Sequence, residues 1–165
     1  MARRVVGVLF VLLSVLLVGC DHATKYVASK VLQNGPPIDV VSGVVDLEYT
    51  RNRDVSFNLL DRVGLPVADA RLVIIAFGLL LIAAMSVAWW RRRRDPSKLL
   101  HAGFALLVAG ALGNVTDRIL RGYVVDFIHV HYWPVFNVAD IAVIAGMLAL
   151  ALVSQSRASS RDARV

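Results

Sequence analysis

A polar stretch at residues 110–140 lies between two long apolar segments and contains the residue types that acid–base chemistry needs. Its polar members include Asn114, Asp117, Arg118, Asp126, Asn137 and Asp140. Ionisable groups beside membrane-compatible segments are costly and usually mark a functional site. Asn114, Asp117 and Arg118 have the spacing of residues on one helix face. Asn137 and Asp140 are three residues apart, at the start of the last apolar segment.

Asp126 and Asp140 are the candidate catalytic groups of this stretch. If the helix ends that carry them meet at a membrane surface, their carboxyl groups can face each other. Two close carboxylates do not both ionise easily, so one keeps a proton while the other acts as a base. Such a pair can activate water against an amide and protonate the leaving nitrogen without a covalent intermediate. The structural alternative is that Asn137 or Asp140 caps the fourth helix. The many polar residues on one side of the membrane favour a site.

Asp21 and Lys25 follow the first apolar segment and are one helical turn apart, which predicts an ion pair. The adjacent Thr24 points in a different direction on a helix and is not predicted to pair with Lys25. Cys20, the only cysteine, lies within the first apolar segment and has no evident histidine partner for nucleophilic catalysis. We therefore interpret Cys20 as a small apolar helix residue.

His129 and His131 would share one face of a strand and could ligate a metal, with Asp126 nearby. The flanking residues Phe127, Tyr132 and Trp133 are instead typical of an interfacial segment, where histidine needs no metal. Since too few further ligands are identified, we predict no metal site and no cofactor.

The chain must position these groups with elements that lie in a membrane. Its hydrophobic fraction is 58% and its mean hydropathy is +0.66, and the apolar residues are clustered in blocks. Four such blocks, at 5–20, 72–90, 99–115 and 136–153, reach about the length that crosses a bilayer, the first by continuing as a helix. The tryptophans at 89 and 90 mark a membrane interface. We predict an all-α integral membrane protein with four transmembrane helices.

The segment at residues 31–71 is predicted to form a small extracytoplasmic β-sheet. Residues 45–49 alternate apolar and polar side chains, as in a half-buried strand, and Gly35-Pro-Pro37 ends the first helix. Residues 1–155 are predicted to be a single four-span membrane domain that includes this β-rich insertion. Residues 156–165 are predicted to be a disordered cytoplasmic tail.

The distribution of charge predicts the orientation. Ten of the 18 Lys and Arg residues lie at the two termini or in the loop at 91–98, with only two acidic residues, whereas the other eight accompany ten acidic residues. The positive-inside rule therefore places both termini in the cytoplasm and the polar cluster near the outer leaflet. No basic face interleaved with aromatics is found in the sequence, so nucleic-acid binding is not predicted.

Two other classes of protein are alternatives to an enzyme with acid–base chemistry. Two arginines, an apolar core and Leu17-Val-Gly-Cys20 are similar to a bacterial lipoprotein signal peptide, which would be removed before Cys20 is lipidated. Three further membrane segments argue against that interpretation. The other alternative is a four-span transporter that uses Asp126 or Asp140 as a proton relay. A transporter would place these carboxylates near the bilayer midplane, whereas here they are predicted at one edge.

Four motifs in order resemble those of the lipoprotein signal peptidase family, also called signal peptidase II. The segment 21–25 resembles its D-x-x-T-K motif, and 110–118 is similar to G-x-x-x-N-x-x-D-R. The segments 125–127 and 136–140 resemble those that carry the family's catalytic aspartates. The family usually has N-x-G-A-A-F after its first extramembrane strand, whereas this chain has Asp54 in place of the glycine.

This resemblance implies a membrane aspartyl endopeptidase of the bacterial inner membrane, with Asp126 and Asp140 as the catalytic dyad. It implies that four residues position substrate and support the dyad: Asn52, Asn114, Arg118 and Asn137. Asp21 with Lys25 would stabilise the site. The implied substrates are diacylglyceryl-modified prolipoproteins, cut just before the lipidated cysteine. The implied partners are membrane lipids and globomycin-type cyclic peptide inhibitors, and a monomer is expected.

Overall fold

The four apolar segments of the sequence form four long helices. The computed structural model describes residues 2–53 and 67–162. Its helices are α1 (Ala2–Val31), α2 (Val67–Arg92), α3 (Lys98–Leu120) and α4 (Val138–Asp162). Each contains at least 22 consecutive residues of a length and composition able to cross a membrane, which takes about 20 residues. The prediction of four transmembrane helices with a small sheet is confirmed, and the protein is a multi-pass membrane protein.

The outer faces of the bundle carry large apolar side chains that have no protein neighbours to cover them. Leu12 on α1, Leu72 on α2 and Leu148 on α4 are each about 60% exposed or more. In lipid these faces are solvated by hydrocarbon, so their exposure carries no hydrophobic cost. Helix α3 is the most enclosed of the four and contacts α1, α2 and α4. It is therefore the element around which the other helices are arranged.

Glycines on α3 allow this close packing. A Cβ atom built on Gly110 would collide with the backbone oxygen of Ala139 at the start of α4. A Cβ atom on Gly113 would lie 2.5 Å from Oδ2 of Asp21 on α1. Small residues are the usual means by which membrane helices approach each other closely. These two glycines bring α1 and α4 against the polar end of α3.

We expect Gly110→Ala to separate α3 from α4 and to destabilise the bundle by about 1–3 kcal/mol, because overpacking forces a backbone shift. The measurement is thermal unfolding of the detergent-purified protein. Gly19→Ala on α1 is the matched control, since a Cβ atom there meets nothing within 4 Å. Equal melting temperatures for the two variants would contradict the close α3–α4 approach.

The sheet has three antiparallel strands, β1 (Ile38–Val41), β2 (Val45–Asn52) and β3 (Val124–Val130), in the order β1-β2-β3. The predicted strand at 45–49 is confirmed within β2. Strand β3 corrects the sequence-based expectation that Asp126 lies at a helix end. In its register Thr50 pairs with Asp126 and Asn52 pairs with Val124. Because alternate residues of a strand share a face, Asn52 and Asp126 lie on the same side of the sheet.

Two apolar clusters hold the ends of the bundle. The end of α1 packs on the sheet through the buried residues Ala28, Leu32 and Phe127. At the other end Trp89 is 7% exposed and stacks on Phe10, with ring centroids 3.9 Å apart. The Trp89 ring therefore faces the helix bundle, and the expectation that this end of α2 lies at a membrane interface stays a prediction. Its neighbour Trp90 is exposed, as expected of an interfacial residue.

The C-terminal tail also differs from expectation. Residues 156–162 continue α4 instead of being disordered. Arg157 contacts Asp95 at 2.5 Å, and Ser160 Oγ donates to the Ser156 carbonyl, so polar contacts support a helix that has no apolar face here. The division into a domain at 1–155 and a tail at 156–165 stays a prediction. Asp54, which departs from the family motif, lies outside the described residues.

Candidate active site

The site begins with the first turn of α4, where Asn137 and Asp140 form reciprocal hydrogen bonds. The Asp140 backbone N–H donates to Asn137 Oδ1 at 3.1 Å, and the Asn137 backbone N–H donates to Asp140 Oδ2 at 3.0 Å. This arrangement satisfies two backbone donors that a helix start would otherwise leave unpaired. The capping role considered for Asn137 is correct. The same bonds also fix the direction of the Asp140 carboxylate, so capping and site formation are compatible.

Asp126 on β3 is 2% exposed and accepts hydrogen bonds at both carboxylate oxygens. Asn52 Nδ2 donates to Oδ2 at 2.9 Å, and Asn137 Nδ2 donates to Oδ1 at 2.6 Å. Asn137 is fully buried and bonds to both acids, to Asp126 through its side chain and to Asp140 through its backbone. The structure therefore links the two predicted acids, Asp126 and Asp140, through hydrogen bonds to the same residue, Asn137.

Burial raises the pKa of Asp126 from its usual value to about 6. The negative charge of Asp140 acts in the same direction, whereas the hydrogen bonds from Asn52 and Asn137 oppose the rise. A carboxyl group with a pKa near 6 can hold a proton close to neutral pH and give it up easily.

Asn114 on α3 connects the acids to a second group of charges. Its Nδ2 donates to Asp140 Oδ1 at 2.8 Å. Its Oδ1 accepts from Asn137 Nδ2 at 3.1 Å and from Lys25 Nζ at 3.0 Å. The orientation of the Asn114 amide is thus set from both ends.

Lys25 is completely buried on α1 and its ammonium group has three acceptors. These are Asp21 Oδ2 at 2.8 Å, Asp117 Oδ2 at 3.0 Å and the Asn114 oxygen. The predicted Asp21–Lys25 pair is confirmed. Asp21 Oδ1 also accepts the backbone N–H of Ala139 at 3.0 Å, which joins α1 to the start of α4. The network therefore ties three helices together beneath the two acids.

Sequence reasoning missed part of this network. It placed Asp117 on one helix face with Asn114 and Arg118, whereas Asp117 is buried between Lys25 and Arg121, with a distance of 3.2 Å to Arg121 Nη1. The four-residue spacing of Asp117 and Arg121 was a signal that could have found this pair. Arg118 Nη1 lies 3.5 Å from the Asn114 carbonyl oxygen, and its role in substrate positioning stays a prediction.

The other candidates are placed away from the two acids or are bonded locally. Thr24 Oγ1 donates to the Asp21 carbonyl at 2.8 Å, and Cys20 is exposed on α1. The rings of His129 and His131 stack with centroids 6.1 Å apart, and His129 Nδ1 lies 3.8 Å from Glu48. Within residues 2–53 and 67–162, no group of three or more potential ligands could hold a metal ion.

Comparisons with known proteins agree on one family. The family model described as signal peptidase (SPase) II matches residues 13–155. Lipoprotein signal peptidase from Geobacter metallireducens is 35% identical over 148 residues, which cover 86% of this chain and 88% of that protein. Lipoprotein signal peptidase from Pelotomaculum thermopropionicum is 35% identical over 159 residues, covering 94% and 98%.

A solved structure described as a bacterial membrane enzyme has a similar fold, with a TM-score of 0.77 and 25% identity over 92% of this chain and 90% of the other. These matches do not support the transporter considered as an alternative. The chain belongs to the signal peptidase II family, and it is therefore a membrane protease.

Proposed function

We propose that this protein removes signal peptides from diacylglyceryl-modified prolipoproteins by activating water at Asp126 and Asp140. The observation that carries the mechanism is the contact of one buried asparagine with both carboxyl groups. The names of the relatives, lipoprotein signal peptidase, support the substrate class.

The proposal assigns the proton of the pair to Asp126, because burial raises the pKa of that group to about 6. The proposal assigns the role of base to Asp140, whose two oxygens are held by hydrogen bonds from Asn114 and the Asn137 backbone. Asp140 removes a proton from water as the water oxygen attacks the scissile carbonyl carbon, and Asp126 donates its proton to the carbonyl oxygen. In the second step Asp140 protonates the leaving nitrogen as the C–N bond breaks. Asp126 recovers its proton from the collapsing hydroxyl, which restores the starting state.

The supporting residues keep this geometry without entering the reaction. Asn52 and Asn137 hold the Asp126 carboxyl, Asn114 holds that of Asp140, and Lys25 with Asp21 holds Asn114 and the start of α4. The proposal assigns Arg118, next to Asn114, to substrate positioning. Prearranged polar groups of this kind lower the barrier because they need no reorganisation during the reaction.

The charge distribution supports an orientation with both termini in the cytoplasm. The four antiparallel helices then place the sheet and the two acids near the outer leaflet of the inner membrane. A lipid-anchored cysteine would hold the scissile bond at the same level. The proposal includes globomycin-type inhibitors and surrounding lipids as ligands of this region, a monomer as the active form, and no cofactor.

The substrate class is tested by comparing a diacylglyceryl-modified prolipoprotein with the same protein lacking the lipid. We expect kcat/KM to fall by at least about 100-fold without the lipid, because anchoring positions the scissile bond and supplies binding energy. Cleavage is followed by gel shift with purified protein in detergent, and Asp126→Asn is the inactive control. Equal rates for both substrates would refute the assignment of lipoproteins as substrates, but the protein would still be a protease.

The raised pKa of Asp126 leads to a second prediction, which concerns the pH dependence of kcat/KM. The acid form of Asp126 is needed, so kcat/KM should fall as the pH rises through its pKa. Asn52→Ala removes a donor that stabilises the charged carboxylate, which raises the pKa of Asp126 further. We expect the alkaline limb of the profile to move upward by up to about one pH unit. Asn34→Ala, at an exposed position outside the site, should leave the limb in place. A downward shift or no shift in Asn52→Ala would contradict the assignment of the proton to Asp126.

A further inference from the structure

The end of the helix bundle opposite the two acids contains a small open cavity of about 170 Å³. It lies between the end of α2, the start of α3 and the last part of α4. Its walls are Arg92, Leu100, Leu150, Val153, Ser154 and Arg157. None of these residues takes part in the proposed proteolysis.

The cavity has an apolar side and a polar side. Leu100 is fully buried, and with Leu150 and Val153 it belongs to the apolar cluster around Trp89. The polar side presents two guanidinium groups and the Ser154 hydroxyl. This combination matches a ligand with an anionic head joined to an apolar chain, and it matches a free inorganic anion less well.

The charges of the cavity leave one positive charge uncompensated. Arg157 Nη2 contacts Asp95 Oδ2 at 2.5 Å, so that pair is neutral. For the Arg92 guanidinium, no hydrogen-bond or ion-pair partner is found among the described residues. The start of α3 is already capped, because Asp95 Oδ1 accepts the Ser97 backbone N–H at 3.0 Å and Ser97 Oγ accepts that of Leu100 at 3.2 Å. Arg92 is therefore the lining residue whose charge is left unbalanced. One phosphodiester group, with a single negative charge, would balance the site.

We propose that this cavity binds the head group of an anionic phospholipid. The phosphodiester lies between Arg92, Arg157 and Ser154, and the start of an acyl chain lies against Leu150 and Val153. The cavity is at the level where α2 leaves and α3 enters the membrane, which is the depth of lipid head groups. Basic pockets between transmembrane helices on the cytoplasmic side are known sites for such head groups. A zwitterionic lipid fits less well, because its own cation would meet the arginines.

The test is native mass spectrometry of the full-length protein in detergent, titrated with phosphatidylglycerol, with phosphatidylcholine or with inorganic phosphate. We expect one phosphatidylglycerol to bind in preference to phosphatidylcholine. Arg92→Gln should weaken binding about five-fold, and Arg92→Gln with Arg157→Gln roughly 25-fold, from about 1 kcal/mol for each arginine near a membrane surface. Ser154→Phe, which fills the cavity without changing charge, should also weaken binding.

Arg94→Gln is the matched control, since Arg94 is exposed two residues after Arg92 and does not line the cavity. Equal binding of both lipids, or an equal loss in Arg94→Gln, would overturn the proposal in favour of a general surface charge effect. Displacement of phosphatidylglycerol by millimolar inorganic phosphate would overturn the lipid assignment and indicate a free-anion site. Because the readout is lipid binding, these outcomes are independent of whether Asp126 and Asp140 perform proteolysis.

Discussion

Replacing Asp126 or Asp140 with asparagine is expected to lower kcat by at least about 10³-fold, because each variant loses a proton acceptor or donor that no neighbour can replace. Asparagine has nearly the same shape as aspartate, so the helices should still insert and pack. The measurement is single-turnover cleavage of a lipidated prolipoprotein, together with thermal unfolding in detergent. In the proposed mechanism the two acids act as a unit, so the double variant should be no slower than the slower single variant.

Asp39→Asn is the matched control for this prediction. Asp39 is an exposed acid of the same sheet, on β1, and has no contact with the site. We expect its activity to equal that of the unmodified protein. Normal turnover by either dyad variant would remove that residue from the mechanism. A loss in Asp39→Asn as large as that in Asp126→Asn would show that the effect reflects the sheet and not the dyad.

Lys25→Met is expected to destabilise the protein by roughly 3–5 kcal/mol, the usual cost of leaving buried charges without their partner. Lys25 is fully buried and its removal leaves the carboxylates of Asp21 and Asp117 without their shared cation. Activity should fall as well, because Asn114 loses the donor that sets its orientation. The measurement is thermal unfolding, with a decrease of roughly 10 °C in melting temperature expected for a chain of this size.

A second substitution distinguishes lost charge balance from lost packing. Adding Asp21→Asn to Lys25→Met removes the carboxylate that loses its lysine partner, whereas Asp117 keeps its contact with Arg121, so part of the lost stability should return. Lys30→Met on the same helix is the control, since Lys30 is exposed and should change stability by less than about 0.5 kcal/mol. If Lys25→Met were as stable as Lys30→Met, the buried network would have no role in holding the helices together.

The helices, the Asp21–Lys25 ion pair and the cap of α4 could be predicted, because each depends on residues that are close together in the sequence. The Asp21–Lys25 pair follows from a four-residue spacing on a helix, and the Asn137–Asp140 cap from a three-residue spacing. Strand β3 was not predicted, because Val124, Val125, Asp126 and Phe127 are all buried and the strand has no alternating pattern. The helical end of the chain, to Asp162, was missed because polar contacts and not an apolar face support it.

The partners of the catalytic candidates depend on contacts between distant parts of the chain. Asn52 meets Asp126 only through the pairing of β2 with β3, across 74 residues. Lys25 meets Asn114 across 89 residues, and Asp21 meets Ala139 across 118 residues. No spacing rule reaches over such separations, so the roles of Asp117 and Arg121 were not visible in advance.

The sequence alone determined the four spans, the side of the membrane expected for each loop, and the set of polar residues that gather at one end. Those properties follow from hydrophobicity and charge, which act over one helix at a time. The tertiary structure decided which polar atoms meet. The absence of side chains at Gly110 and Gly113 lets α1 and α4 approach α3 until Asn114 reaches both Lys25 and Asp140. Hydrogen bonds require distances near 3 Å, and only the packed backbone sets atoms to that distance.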